Sequence, residues 1–254
     1  MSPSILPWPG LRGSRKARPP NGQARRPEAE PLTSVSLSDA DRRLAHMAAS
    51  LLLAYPDEET VTAAREVRAA VEGLPEPVAQ RLARLATTLA DGDPRDLQAA
   101  YVATFDLKRR CTLYLSYYAA GDTRRRGAAL LRFAEAYRAV GWELTGGELP
   151  DHLASVLELS ARADGDGARI AGALLTAHRD GIEVLRAALA AESSPWVAAV
   201  EAVCLTLAPV DARTLDRVAA LVTEGPPAEL VGLSGLPGLP GFGGDAGGKA
   251  LPWT

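Results

Sequence analysis

The residues able to do chemistry in this chain are few, and their spacing excludes more than it suggests. Three histidines, His46, His152 and His178, stand in no metal-ligand spacing; there is no His-Glu-x-x-His, and no Glu-x-x-His of the kind a di-metal carboxylate bundle takes from each of two helices. Two cysteines, Cys111 and Cys204, lie far apart and form no Cys-x-x-Cys, which suits buried apolar thiols in a reducing compartment. A Gly-rich phosphate loop, a Gly-x-Ser-x-Gly elbow and a Cys/His pair with an orienting group are all absent from the sequence. No catalytic and no metal-ligating residue is assigned, and the expectation is a protein that binds rather than converts.

The polar and aromatic residues that are not helix filler concentrate between Tyr101 and Leu159. In order they are Phe105-Asp106, Lys108-Arg109-Arg110, the run carrying Tyr114, Tyr117 and Tyr118, the turn Gly121-Asp122-Thr123, the triplet Arg124-Arg125-Arg126, and Glu148-Leu149-Pro150-Asp151-His152. Asp122 or Thr123 can cap a helix running to Val140, and Pro150 fits a first helical turn because it has no N–H to lose. Three cations at that helix start oppose the positive end of its dipole, at ~0.3–1 kcal/mol per exposed charge. Asp122, Asp106, another acidic side chain or an anionic partner must offset them, unless they are simply solvated or salt-bridged. His152 opens the next helix beside Asp151 and either closes the preceding loop or belongs to a binding surface, whereas His46 and His178 read as surface or satisfied core groups.

Helices must position these groups. Apolar residues recur at helical spacing after Ser38-Asp39 up to Tyr55-Pro56, from Glu58 to Val71, from Pro77 to Ala90, and from Pro94 to Phe105, where Leu97, Tyr101 and Phe105 make a buried aromatic face. An apolar helix is expected from Cys111 to Ala120, another from about Gly121 to Val140, then one to Leu159, a long one from Ala168 to Ala191, one carrying Trp196 to Leu207, and a last from Asp211 to Val222. The Pro-, Gly- and Arg-rich residues 1–34 read as a disordered arm, residues 35–223 as one all-α globular domain, and residues 224–254 as a Gly/Pro-rich flexible tail. Arg25-Arg26 is followed by Pro-Glu-Ala-Glu-Pro rather than an apolar segment, so it does not read as a twin-arginine signal. No run approaches the ~18 apolar residues of a membrane span. A net charge of −3 and a pI near 5.7 argue against a general nucleic-acid binder.

Tyr101, Phe105-Asp106, GDTRRRGAAL, Tyr137, Gly141 and GELPDHLASVLEL, with LLLAYPDEE upstream, resemble the NarJ-type assembly chaperones of respiratory nitrate reductase, also called its delta subunit, a branch of the TorD/DmsD family of molybdoenzyme chaperones. The resemblance covers roughly residues 38–222. It implies an all-helical, non-enzymatic cytoplasmic chaperone of TorD/DmsD-like fold. Such a protein binds the apo catalytic (alpha) subunit of nitrate reductase, through the client's N-terminal segment, and supports molybdenum cofactor insertion before the enzyme docks at the membrane. It implies no stably bound cofactor, no nucleic-acid partner and no insertion of the chaperone itself into the membrane. The expected client-binding residues are Phe105, Asp106, Tyr114, Tyr117, Tyr118, Asp122, Arg124, Arg125, Arg126, Glu148, Pro150, Asp151 and His152. They would form a groove between a Cys111–Tyr118 helix and the His152 helix, with the arginine triplet steering acidic client residues. The alternatives are a chaperone for a different molybdoenzyme, a helical DNA-binding regulator using Arg124–Arg138, and a helical metal-dependent enzyme.

Overall fold

The computed structural model describes residues 32–144 and 147–227. The arm expected over residues 1–34 lies outside the described residues up to residue 31, and the tail expected over 224–254 does so from residue 228. The described residues are helical: α1 Asp39–Leu52, α2 Glu58–Ala70, α3 Glu76–Asp91, α4 Pro94–Tyr101, α5 Leu115–Ala120, α6 Arg125–Ala139, α7 Leu153–Arg162, α8 Gly165–Ala177, α9 Arg179–Ala191, α10 Val197–Thr206 and α11 Ala212–Glu224. Extended pairing among them amounts to one antiparallel bridge, between Tyr114 and His152.

Short polar side chains set several of these starts. Ser38 accepts from Asp41 N–H, Asp57 from Thr60 N–H, Asp93 from Arg95 and Asp96 N–H, and Asp211 from Thr214 N–H, each satisfying an amide that the first helical turn leaves open. α1 packs on α7 and α10, α2 on α3, α3 on α10, and α9 on α10, α11 and α5. Their shared interior holds Leu52, Leu82, Leu85, Leu89, Leu153, Leu157, Ile182, Leu185 and Trp196. Leu32 and Val35, just before α1, pack against it, and Val35 N–H donates to the Leu205 carbonyl. A smaller cluster of Tyr137, Leu159, Ala163 and Ala171 joins α6, α7 and α8.

Two polar sites are buried in this interior, and at the first His46 is a satisfied core group, one of the two readings its sequence position allowed. His46 Nε2 donates to Thr206 Oγ1 at 2.7 Å, because that hydroxyl spends its own hydrogen on the Val203 carbonyl; Nδ1 is thus left to accept from Ser160 Oγ at 2.8 Å. This neutral ring ties α1 to α7 and α10, and burial followed by the Arg42 charge holds its pKa down at about 3. On α9, Glu183 sits between two arginines, taking Arg179 Nη2 at 2.7 Å and Arg186 Nε at 2.7 Å, while Arg179 Nη1 donates to the Cys204 carbonyl. All three side chains are almost wholly buried, so removing Glu183 would strand two positive charges in a dry site.

Four expected elements differ. The helix expected from Cys111 is only Leu115–Ala120, because the backbone before it pairs sideways: Leu153 N–H donates to Leu113 O and Leu115 N–H to Asp151 O. Pro150 is not in a helical turn of α7, which starts at Leu153; residues 149–152 form a separate turn closed by His152 N–H to Leu149 O. The long helix expected over 168–191 breaks at His178, whose φ of −109° and ψ of 20° redirect the chain. The two halves serve different neighbours: Ala171 packs with Tyr137 and Leu159, while Gly181 and Ile182 turn toward α5 and the main interior. Last, the helix expected to end at Phe105 is α-helical only to Tyr101 and then widens into a π-turn over Val102–Asp106, closed by Leu107 N–H to Val102 O at 3.1 Å.

Candidate functional site

The π-turn sets one wall of the site. Tyr101 and Phe105 are buried as their spacing predicts, with ring centroids 4.6 Å apart, and both meet Trp196 edge-on at 5.4 and 5.5 Å. The Tyr101 hydroxyl donates to Leu53 O, so α4 is pinned to the end of α1. Asp106, the next residue, comes to the surface. Opposite it, the extended segment Thr112–Tyr114 lies along the turn that leads into α7, and the Tyr114 and His152 rings meet at 5.4 Å. The Tyr114 hydroxyl donates to Glu148 Oε1 at 2.9 Å; burial and that carboxylate push the phenol up to about 12. Burial lowers His152 more than Glu148 and Asp151 raise it, which leaves a neutral ring.

Between these walls lies an open groove of about 540 Å³. Five of the expected residues line it: Phe105, Asp106, Tyr114, Glu148 and His152. α1 and the turn after it supply the remaining wall with Met47, Leu51, Ala54 and Tyr55, and α7 adds Ser155 and Glu158. These α1 residues were read as ordinary stripe and helix-end positions. Leu51 recurs at the helical spacing of the apolar stripe, yet it is 38 % exposed, and Tyr55 is 44 % exposed. The described residues hold six exposed large apolar side chains, namely Leu51, Tyr55, Leu107, Leu131, Leu149 and Leu215. Two of them line the groove and two, Leu107 and Leu149, are chain neighbours of the lining residues Asp106 and Glu148, so most of the exposed apolar surface gathers there.

The other expected residues are placed elsewhere. Asp151 is 0 % exposed, and its Oδ2 accepts both the N–H and the hydroxyl of Ser116, at 3.1 and 2.5 Å, fixing the start of α5. Tyr118 is buried with its hydroxyl within reach of the carbonyls of Arg110 and Thr112, and its ring presses on Gly181, where an added Cβ would meet it at 2.9 Å. Tyr117 packs edge-on against Tyr118 at 6.0 Å. Asp122 faces Arg109 at 3.3 Å and Arg126 at 3.6 Å, and the Arg126 guanidinium also lies over the Tyr114 ring at 5.5 Å. Arg124 and Arg125 are exposed and outside the groove lining. Thr123 rather than Asp122 serves the start of α6, accepting from Arg125 N–H while donating to Ala120 O. Gly121 has a φ of 58°, and a Cβ there would strike the Pro227 carbonyl, so the segment after α11 is seated against this turn. Pro150 lines a separate hollow of about 310 Å³ with Tyr137, Arg138, Trp142 and Leu144.

Among the described residues no three of His, Cys, Asp and Glu are grouped to hold a metal ion, and none of their helices is long and apolar enough to cross a membrane. What the arrangement offers is recognition: an apolar trough with carboxylates and a phenol at its edge.

Residues 71–202 match the family described as the nitrate reductase delta subunit. The chain belongs to that family. Over 158 residues it is 41 % identical to the nitrate reductase-like protein NarX of Mycobacterium tuberculosis, which covers 62 % of this chain and 23 % of NarX, so the chain spans less than a quarter of that relative's length. The probable nitrate reductase molybdenum cofactor assembly chaperone NarJ of Bacillus subtilis is 33 % identical over 134 residues, 52 % of this chain and 73 % of that protein. Escherichia coli K12 NarJ, named as a nitrate reductase molybdenum cofactor assembly chaperone, is 35 % identical over 116 residues, 44 % of this chain and 49 % of its own. The α1 wall of the groove, from Met47 to Tyr55, precedes the family match.

Proposed function

We propose that the chain is a cytoplasmic assembly chaperone that does no chemistry of its own. It binds the apo catalytic subunit of a nitrate reductase through that subunit's N-terminal segment and holds it while the molybdenum cofactor is inserted, before the enzyme docks at the membrane. The observation that carries the reading is the groove with its apolar rim at Leu51 and Tyr55, in a chain whose relatives are named as such chaperones. An amphipathic helical segment laid in this trough would set three apolar anchors against Leu51, Tyr55 and Phe105. At ~1.5–3 kcal/mol each they supply roughly 5–9 kcal/mol, less about 2–5 for ordering the segment. The segment alone is therefore expected to bind no tighter than about micromolar, which suits a partner that must be released.

The test is a pull-down of the full chain from its native cytoplasm with mass spectrometry of what it holds, alongside a nitrate reductase assay in cells lacking it. Recovery of an apo catalytic subunit, with activity lost while that subunit is still made, is the expected result. Recovery of a different molybdoenzyme would move the client and keep the role. Intact activity with no molybdoenzyme recovered would overturn the proposal.

A further inference from the structure

The groove carries a charge pattern that the sequence did not disclose. Asp106, Glu148 and Glu158 all line it, and no lysine or arginine does. His152, the one other ionisable nitrogen base in the lining, is kept neutral by burial. Asp106 and Glu148 take part in no ion pair among the described residues; Glu148 meets only the neutral Tyr114 hydroxyl and the Leu149 amide, and Glu158 pairs with Arg162 one turn along the exposed face of α7. Of the neighbouring basic groups, Lys108 is engaged with Glu192, and Arg109 and Arg126 with Asp122. The apolar trough is thus edged by carboxylates from three separate elements, the π-turn, the turn before α7, and α7 itself.

We propose that the groove selects a cationic amphipathic segment, one whose apolar face meets Leu51, Tyr55 and Phe105 while its Lys or Arg side chains meet Asp106, Glu148 and Glu158. This rests on the reading of the groove as the client site and gives that client its chemistry, opposite in sign to what the arginine triplet suggested. Exposed carboxylates cost little to keep solvated in the empty groove; at Asp106 and Glu148 an arriving cation gains a partner without displacing one, and at Glu158 it shares the carboxylate with Arg162. A segment with acidic residues at the same positions would bring like charges together along the rim.

The test uses the full chain and two synthetic peptides of about fifteen residues, long enough for a marginal helix, with the same leucine face and either lysine or glutamate at the remaining positions. Binding is read by fluorescence anisotropy at low salt. The lysine peptide is expected to bind about tenfold tighter than the glutamate peptide, which is what three exposed ion pairs multiply to. The combined Asp106→Asn, Glu148→Gln, Glu158→Gln variant should abolish that preference. Glu58→Gln, Glu59→Gln, Glu66→Gln removes the same charge from exposed positions on α2 and should keep it. Equal binding of the two peptides, or a preference that the α2 variant removes as well, would overturn the charge selection and leave the groove reading standing. If neither peptide binds, the groove itself is not a client site and the inference falls with it.

Discussion

The stretch from Glu148 to His152 contributes to two regions that behave oppositely. At one end Glu148 stands on the groove rim, exposed and in no ion pair among the described residues. Three residues on, Asp151 is wholly buried and spends one oxygen on both donors of Ser116. The same division runs through the aromatic run: Tyr114 edges the groove, whereas Tyr118 is closed over by the carbonyls of Arg110 and Thr112 and by Gly181. A buried polar group has to find its partners inside the fold, so Asp151 and Tyr118 are explained by the scaffold alone. Glu148, Asp106, Leu51 and Tyr55 are not, and it is their open surface that a second molecule can use.

This contrast can be broken from its strongest side first. Asp151→Ala leaves the N–H and hydroxyl of Ser116 without an acceptor in a dry site, and urea unfolding should show a loss of about 3 kcal/mol. A change below about 1 kcal/mol would remove the distinction between floor and rim.

His46 offers a pH-dependent version of the same test. Its folded pKa, about 3, is below the 6.5 of the free side chain, so at acid pH the unfolded chain binds a proton that the folded one refuses. Its contribution is fully present above pH 6.5 and lost as pH falls toward 3, amounting to about 2 kcal/mol between pH 7 and pH 5. Unfolding curves of the parent and of His46→Gln across that interval should differ in slope by this amount; parallel curves would mean that the ring is charged when folded.

Smaller effects are expected around Gly181. An alanine there gains helix propensity of about 1 kcal/mol but pushes its Cβ onto the Tyr118 side chain, and overpacking of this kind costs about 1–3, for a net loss of about 1 kcal/mol. On the rim, Glu148→Gln should leave stability within about 0.5 kcal/mol while weakening capture of the client. Arg124→Glu with Arg125→Glu should change client association least, because neither side chain lines the groove. A large fall in association rate in that last variant would restore the arginines as the steering surface.

Much of the scaffold was legible in the residues. Ser38, Asp57, Asp93 and Asp211 announce helix starts because a short acceptor beside an open amide works the same way in any fold. The face of Leu97, Tyr101 and Phe105 was readable from spacing for the same local reason. Of the thirteen residues singled out, five, Phe105, Asp106, Tyr114, Glu148 and His152, line one groove, and the other eight lie elsewhere. The wall at Leu51 and Tyr55 was not readable, since Leu51 continues the apolar stripe of α1 and Tyr55 reads as the place where that helix stops. Nor was the role of Asp151, because its partner Ser116 is 35 residues away and nothing local signals the pairing.

The sequence by itself determined the helical class, most helix boundaries, and a band of polar and aromatic residues too specific to be filler. It could do so because caps and 3.6-residue periodicity act over a few neighbouring residues. Which members of that band face out, and with what sign of charge, was decided only by the tertiary structure. The sideways pairing of Tyr114 with His152, the π-turn after Tyr101 and the break at His178 are bargains between segments far apart in the chain, and they place three carboxylates around the trough while Asp122 and Tyr114 occupy Arg126 beside it.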